Sequence, residues 1–189
     1  MTPRLRLPSP SIPRHSVMGH ASPYDSPVPT TDRRRREATG TEISAMSMAL
    51  EEALAATAHG DVPIGAVVLV ANEVVARRHN ERELSGDPTA HAEVLALRDA
   101  AGALGNWRLS DATLVVTLEP CAMCAGAAVA ARLGRIVFGA PDLKAGACGS
   151  LYNLCADPRL NHEVSLVGGV LAERSSEMIE GFFRELRPS

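Results

Sequence analysis

The spacing of apolar residues predicts a helix followed by two strands at the start of the folded region. From Glu42 to about His59, apolar side chains recur at helical spacing and give the segment one apolar face. The next apolar run, 64–70, is continuous, as expected for a strand covered on both faces of a sheet. A turn at Ala71-Asn72-Glu73 then leads the chain into a second strand over 74–79.

Helices and strands alternate in the rest of the chain. We predict a helix over 90–101, a strand over 113–118, a helix over 121–132, a strand over 135–139, a short strand over 163–167 and a closing amphipathic helix over 171–187. A strand, a helix and a strand joined by short connections form a unit whose two strands pair in parallel. The pattern therefore predicts an α/β fold, a three-layer α/β/α sandwich with a mixed five-stranded sheet.

The composition fits one domain of ordinary size. Of the 189 residues 46% are hydrophobic and 22% charged, while only 3% are aromatic, so Ala, Val and Leu must fill the core. No apolar run approaches the roughly 18–20 residues that a membrane span needs, so we expect no membrane association. The 4 cysteines, without a signal peptide, do not make a disulfide framework and favour a cytoplasmic location.

The first forty residues differ from the rest. They are rich in Pro, Ser and Arg and include the run Arg33-Arg34-Arg35-Arg36. We therefore predict a disordered N-terminal extension over 1–40 and a folded domain over 41–189. Three interpretations of the extension stay open: contact with RNA phosphates, a solvated tail, or a segment that precedes a true start at Met46 or Met48.

The stretch from Asp87 to Cys124 contains residues suited to a metal site. His91 is followed about thirty residues later by Cys121 and Cys124, which gives three ligands for a Zn²⁺ ion that keeps its fourth position open. Glu93 lies two residues after the histidine, close enough to act on a metal-bound water without binding the metal. The pattern predicts a hydrolytic zinc site with Glu93 as its acid–base residue, and it calls for no organic cofactor.

The sequence around the ligands predicts two helix N-termini at this site. Pro120 precedes Cys121 and suits a helix start, and Asp87-Pro88-Thr89 leads into a second helix. His91 and Glu93 can share a site only near the first turn, since residues two apart diverge by about 200° in a helix interior. The partial positive charge of a helix N-terminus favours thiolate over thiol and stabilises developing negative charge.

Neither motif is specific by itself, because a lone Cys-x-x-Cys is common and His-x-Glu occurs often by chance. Together, in this order and with Pro directly before the first Cys, they match the signature of zinc nucleobase deaminases. Two alternatives stay open, a structural zinc knuckle and a zinc-stabilised interaction module, although neither has a use for Glu93. Glu119 is a rival carboxylate for the chemistry, but it can equally hydrogen-bond to the backbone.

Several longer runs stand out between Val62 and the C-terminus. They are VPIGAV at 62–67, DPTAHAE at 87–93, DATL at 111–114, TLEPC at 117–121, MCAGA at 123–127, RIVFGA at 135–140, GACGS at 146–150, NH at 161–162 and FFR at 182–184. In these runs the chain resembles the bacterial tRNA-specific adenosine deaminases, which have the cytidine deaminase-like fold. The resemblance implies zinc-dependent hydrolytic deamination of the wobble adenosine, position 34 of tRNA, to inosine. It also implies a homodimer that binds the tRNA anticodon loop.

The resemblance assigns roles to individual residues. It implies that the zinc ligands and the acid–base residue named above are those of the family. It also implies a set of substrate-binding residues: Asn80, Ile64, Leu118, Pro120, Asp142, Lys144 and Phe183. Of these, Asp142 is suited to a ribose 2′-hydroxyl, the group that distinguishes RNA from DNA. The chain departs from the family at Pro141, where a basic residue is expected, and at Cys148, where a small apolar residue is more usual.

The charge of the chain is unusual for an enzyme that acts on RNA. The formal net charge is −3, and the balance is more negative still after residue 40, because the arginine run lies before it. A local basic cluster must therefore bind any RNA, and the candidates are Arg132, Arg135, Lys144, Arg184 and Arg187. The alternative function is a small-molecule deaminase of the same fold that acts on free guanine, cytosine or a nucleotide.

Overall fold

The structure, a computed structural model, describes residues 37–186, which belong to the unit Asp32–Ser189. Residues 1–36 of the predicted N-terminal extension, 1–40, lie outside the described residues and stay a prediction, whereas Thr39 and Gly40 already belong to the start of the first helix. Arg187, a candidate for the basic cluster, also lies outside them. None of the helices within residues 37–186 combines the length and the apolar character needed to cross a bilayer.

Helix α1 (Gly40–Ala56) begins with a reciprocal cap. The Thr39 hydroxyl accepts a hydrogen bond from the N–H of Glu42, and the Glu42 carboxylate accepts one from the N–H of Thr39. Two N–H groups that have no partner inside the helix are satisfied in this way. The helix continues into a 3-10 turn (Thr57–His59) and ends at Gly60, whose φ of 80° lies in the left-handed region.

Five strands form one mixed sheet in the order β2-β1-β3-β4-β5. Their bounds are Gly65–Val70 for β1, Glu73–His79 for β2, Ala112–Leu118 for β3, Arg135–Ala140 for β4 and Ser165–Val167 for β5. β1 pairs antiparallel with β2 and β3, whereas β3, β4 and β5 are parallel. Helix α4 (Ala122–Ala130) is the crossover that lets β3 and β4 run in parallel. The predicted mixed five-stranded sheet is confirmed.

Helices cover both faces of this sheet. On one face lie α1 and α5 (Ala172–Glu185), and there Met46 packs against Val67 in a buried cluster. On the other face lie α3 (Ala92–Leu104) and α4, whose alanines pack against Val68 and its neighbours. The side chains of successive residues of β1 thus pack into the apolar clusters on opposite faces of the sheet, which explains the unbroken apolar sequence of this strand. The predicted three-layer α/β/α architecture is confirmed.

The two helices at the candidate site have bounds that differ from the predicted ones. α3 begins at Ala92 and not at residue 90, because His91 still has the extended backbone of an N-cap residue. α4 spans Ala122–Ala130, shorter than the predicted 121–132. It ends early because Arg132 has a φ of 56°, in the left-handed region. The later starts place His91 and Cys121 at the N-cap positions of the two helices, in agreement with the predicted pair of helix N-termini.

A short helix, α2 (Arg82–Ser85), lies between β2 and α3 and was not predicted. The buried carboxylate of Asp61 accepts hydrogen bonds from the N–H groups of Glu83 and Leu84 in this helix. Four residues are too few for a periodic pattern, and the supporting carboxylate comes from a distant part of the sequence. The sequence therefore contains no local signal for this helix.

Candidate active site

Two helix starts bring the three candidate ligands together. His91 is the N-cap residue of α3 and Cys121 is the N-cap residue of α4. Neither side chain makes a capping hydrogen bond to its own helix, so both are free to face the same point. Cys124 follows in the first turn of α4, and the three donor atoms lie within 4.8 Å of one another. The structure thus brings together the residues whose spacing predicted a metal site.

The three donor atoms form a triangle that fits a tetrahedral metal ion. The Sγ atoms of Cys121 and Cys124 are 3.7 Å apart, and His91 Nδ1 lies 3.8 Å and 3.5 Å from them. Bonds of about 2.3 Å to sulfur and 2.0–2.1 Å to nitrogen, at tetrahedral angles, require separations of about 3.8 Å and 3.6 Å. No fourth His, Cys, Asp or Glu of residues 37–186 joins the group. The donor set therefore suits a site with one open position.

Close contact changes the acidity of these groups. The hydrogen bond from Cys124 and the neighbouring His91 lower the pKa of Cys121 to about 3, although partial burial opposes the change. The same contact, together with burial, raises the pKa of Cys124. Contact with Cys121 also raises the pKa of His91 above its usual value of 6.5. A divalent ion has to displace the protons that these groups hold, so metal affinity should fall as the pH falls.

Glu93 lies beside the ligands in the first turn of α3. The residue is only 4% exposed, and its Oε2 atom has no hydrogen-bond partner within residues 37–186. Burial raises the pKa of Glu93, and the charges of His91 and Cys121 act on it as well. A buried carboxylate oxygen without a partner is costly, so its persistence indicates a polar group that joins it in the working site. Glu93 is placed to exchange a proton there.

Asn80 holds the start of α3. Its Oδ1 accepts a hydrogen bond of 2.9 Å from the N–H of Ala92, and its Nδ2 donates one of 3.2 Å to the carbonyl of Val62. Asn80 therefore supplies the cap that His91 does not provide. One N–H and one lone pair of the amide are left over. The predicted contact of Asn80 with the substrate stays a prediction.

Four of the predicted substrate-binding residues line one groove of about 1030 Å³: Leu118, Asp142, Lys144 and Phe183. The groove begins at the end of β3, three residues before Cys121, and lies between the loop after β4 and helix α5. Phe183 presents a ring that is 46% exposed. Asp142 Oδ1 accepts hydrogen bonds from the N–H groups of Lys144 and Ala145, which orders the groove wall.

The other two predicted substrate-binding residues lie outside the lining of this groove. Ile64 is half-buried against the core on the α3 side of the sheet. Pro120 is buried, and its carbonyl accepts a hydrogen bond of 2.8 Å from the N–H of Ala147. Both residues are close in sequence to parts of the site, Ile64 to Val62 in the groove and Pro120 to Cys121. Their contact with a substrate stays a prediction.

The proposed basic cluster does not form as one group, so that expectation needs correction. Arg132 and Arg135 lie at the start of β4, whereas Lys144 and Arg184 line the groove beyond its other end. The length of the strand separates the two pairs. Arg135 is also engaged, because its Nε donates a hydrogen bond of 2.6 Å to the Glu42 carboxylate. Among the described residues, the basic side chains that line the groove are Lys144 and Arg184.

Glu119 bonds to the backbone, as the alternative from the sequence allowed. Burial opposes ionisation, but hydrogen bonds from Ser150, Asp142 and Cys148 lower the pKa of Glu119 overall. Cys148 and Cys155 are buried free thiols whose sulfurs are 3.8 Å apart. They take no part in the candidate metal group.

Comparison with known proteins agrees with this geometry. The model of the MafB19-like deaminase family matches residues 41–187. Over 142 residues the chain is 51% identical to a tRNA-specific adenosine deaminase of Bacillus subtilis (strain 168), covering 75% of this chain and 88% of the relative. The chain belongs to the tRNA-specific adenosine deaminase family. A relative with the same description from Haemophilus influenzae is 46% identical over 143 residues, or 75% of this chain and 83% of that protein.

A solved structure of this tRNA-specific adenosine deaminase family gives the same result for the fold. It comes from a study of A-to-I editing by tRNA:A34 deaminases at the wobble position of transfer RNA. It shares 41% sequence identity with this chain and a TM-score of 0.69, over 71% of this chain and 98% of its own length. The resemblance drawn from the sequence runs and the cytidine deaminase-like fold are thereby confirmed. The protein is a hydrolytic deaminase.

Proposed function

We propose that the protein converts the wobble adenosine, position 34 of tRNA, to inosine by hydrolytic deamination. Membership of the tRNA-specific adenosine deaminase family supports this substrate. The observation that carries the proposal is the buried Glu93 carboxylate, whose Oε2 lacks a partner within residues 37–186, beside the converging His91, Cys121 and Cys124. Such a pair of features suits hydrolysis and serves no purpose in a structural metal site.

The metal that fits best is Zn²⁺, one ion per subunit, held by His91, Cys121 and Cys124. One imidazole nitrogen and two sulfurs form a donor set that zinc favours over magnesium or calcium, which prefer oxygen. When bound, zinc lowers the pKa of a coordinated water from 15.7 toward about 7 and so supplies a nucleophile at neutral pH. The positive ends of α3 and α4 add to the stabilisation of developing negative charge.

Glu93 moves the protons of the reaction. Its carboxylate takes a proton from the attacking water and delivers it to N1 of the adenine while the oxygen adds to C6. It then carries the second proton to the amino group, which leaves as ammonia when the C6–N6 bond breaks. Adenosine and water thus give inosine and ammonia, without an oxidant or an organic cofactor. A raised pKa suits a group that must both accept and return a proton, and such help contributes about 10²–10⁴-fold to the rate.

The groove that begins at Leu118, three residues before Cys121, is the proposed binding surface for the anticodon loop. The exposed ring of Phe183 offers a stacking platform for a base, and Lys144 offers a charge to a phosphate. The Asp142 carboxylate keeps Oδ2 for a ribose 2′-hydroxyl, since the loop hydrogen bonds go to Oδ1. Asn80, Ile64, Leu118 and Pro120 would surround the flipped adenine. Because the protein carries a net charge of −3, recognition has to depend on these local contacts.

The protein is proposed to work as a homodimer in the cytoplasm, with residues 41–189 as the deaminase domain. Sedimentation equilibrium of the full chain tests the dimer, because a monomer at micromolar concentration would contradict it. Deleting residues 1–36 tests whether the extension is needed and keeps Thr39 and Gly40, which form the start of α1. A deletion protein with wild-type zinc content and turnover would support the proposal that the extension is dispensable for catalysis.

An anticodon stem-loop with adenosine at the wobble position tests the proposed reaction. We expect inosine at that position by mass spectrometry and no product from a stem-loop that carries guanosine there. Free adenine, guanine, cytosine and cytidine form the second arm of the assay. Turnover of a free base, with no conversion of the stem-loop, would replace the proposal by the small-molecule alternative.

A further inference from the structure

Glu119 is buried inside the loop that follows β4. The residue is 2% exposed, and its carboxylate accepts hydrogen bonds from this loop at both oxygens. Oε1 accepts from the N–H groups of Cys148 at 3.0 Å and Ser150 at 2.9 Å. Oε2 accepts from the N–H of Asp142 at 3.0 Å and from the Ser150 hydroxyl. These contacts fill the lone-pair positions of a carboxylate, so any effect of Glu119 on the reaction must pass through the loop.

The same loop is tied by its main chain to the turn that carries Cys121. The N–H of Ala147 donates a hydrogen bond of 2.8 Å to the carbonyl of Pro120. Cys121 and Gly146 pair directly as an antiparallel bridge. The loop and the metal-ligand turn are therefore one unit, with the Glu119 side chain enclosed between them.

Gly146 shows how closely the loop backbone approaches this carboxylate. A Cβ atom at Gly146 would lie 2.5 Å from Cδ of Glu119 and 2.5 Å from the carbonyl oxygen of Asp142. No side chain fits in that space, so the loop backbone rests directly on the carboxylate. The shape of the loop thus depends on an acceptor at position 119 and on the lack of a side chain at position 146.

We propose that Glu119 is a positioning residue, which fixes the loop 141–150 and the groove wall formed by Asp142 and Lys144 against the metal-ligand turn. The inference rests on the proposed function in one respect, since it takes the groove to be the surface that binds RNA. The three candidate ligands lie at the starts of α3 and α4, and none of them comes from this loop. Loss of the carboxylate should therefore weaken substrate binding more than it slows the chemical step.

Glu119→Gln tests this role with little change of shape. Whichever way the new amide is turned, its NH₂ faces at least one backbone N–H that the carboxylate satisfied, and that contact is lost. We expect KM for the stem-loop to rise roughly tenfold, or about 1.4 kcal/mol, while kcat changes less than about threefold. Zinc per chain should stay at the wild-type value, and amide hydrogen exchange should become faster within 141–150.

Glu73→Gln is the matched control, because Glu73 is an exposed carboxylate on β2. It should reproduce the wild-type KM, kcat and exchange rates. A Glu119→Gln enzyme with wild-type KM and wild-type exchange in 141–150 would overturn the inference. Loss of zinc with unchanged KM would overturn it as well, because the residue would then support the metal and not the groove.

Ser150→Ala covers the case in which Glu119→Gln does not fold, because it removes one hydroxyl and keeps the carboxylate. A rise in KM of roughly two- to fivefold with faster exchange in 141–150 supports the inference, and unchanged values overturn it. If the wild-type protein does not convert the stem-loop, the proposed function fails. Hydrogen exchange and zinc content need no substrate, so they still test whether Glu119 positions the loop.

Discussion

His91 and Cys121 are the N-cap residues of two different helices, and their side chains meet with Nδ1 3.8 Å from Sγ. Neither side chain caps its own helix, so another group has to accept the hydrogen bond that an N-cap side chain usually accepts from the first turn. In α3 this acceptor is Asn80, whose Oδ1 accepts a hydrogen bond from the N–H of Ala92. The arrangement directs two helix N-termini and two candidate ligands at the same point, and the partial positive charge of a helix N-terminus favours the thiolate form in which a cysteine binds a metal.

Cys124→Ala should remove metal without removing the fold. A thiolate ligand is lost, so we expect zinc affinity to fall more than about 100-fold, beyond the 10–100-fold that loss of an outer-shell partner costs. Competition with a chelator measures the affinity. Cys148→Ala is the matched control, because Cys148 is a buried thiol outside the candidate metal group. It should keep its zinc and lose about 1–2 kcal/mol of unfolding free energy. Equal zinc loss in both variants would contradict the ligand assignment.

Glu93→Gln should separate metal binding from turnover. The amide keeps the shape of the side chain but cannot accept and return a proton, so kcat should fall by about 10²–10⁴-fold. Zinc per chain, measured by mass spectrometry of the metal, should equal that of the wild type because Glu93 is not a member of the ligand group. The exposed Glu51→Gln on α1 serves as the control and should turn over normally. Near-normal turnover of a zinc-loaded Glu93→Gln enzyme would refute the proton-transfer role.

The convergence of the three candidate ligands could be predicted from the sequence because its determinants are local. The spacing of Cys121 and Cys124 and the Pro before them place both at a helix start, and the His91–Glu93 offset admits a shared site only at such a start. The fold could be predicted because the unbroken apolar sequence of β1 requires cover on both faces. These features can be predicted without knowing which residues distant in the sequence contact one another.

The contacts that could not be predicted join residues far apart in the chain. Arg135 was assigned to a basic cluster, but it pairs with Glu42, 93 residues away. Asn80 was assigned to the substrate, and the structure also shows it capping α3 across twelve residues. For Glu119 the sequence allowed backbone hydrogen bonds but did not identify the loop around Ser150 that supplies them. Composition and periodicity contain no information on such partners.

The Glu42–Arg135 pair should make stability depend on pH in the acid range. Burial opposes ionisation, but the Arg135 hydrogen bond and the Thr39 cap lower the pKa of Glu42 below its usual 4.5. A lowered pKa means that the native state stabilises the charged form. This stabilisation is complete above about pH 4.5 and is lost as the pH falls through the native pKa.

Glu42→Gln tests this pH dependence. At pH 7 the variant should lose about 1–2 kcal/mol of unfolding free energy in urea titrations. The difference from the wild type should shrink steadily below pH 4.5. Glu51→Gln, on the exposed side of the same helix, should stay within about 0.5 kcal/mol of the wild type at every pH. A pH-independent difference for Glu42→Gln would show that packing, and not charge, is what the residue contributes.

Gly65→Ala should loosen the contact between α1 and the sheet. A Cβ atom at this first residue of β1 would clash with the carbonyl oxygen of Ala49 and lie 2.7 Å from the N atom of Ala53, both on the α1 backbone. Backbone cannot rotate away as a side chain can, so the helix must shift and about 3 kcal/mol should be lost. Calorimetry should record this as a fall in Tm of roughly 6–12 °C. Gly102→Ala in α3 is the matched control, because a Cβ there meets nothing within 4 Å. It should raise stability by about 0.5–1 kcal/mol, and a similar loss in both variants would mean that close approach is not why residue 65 is glycine.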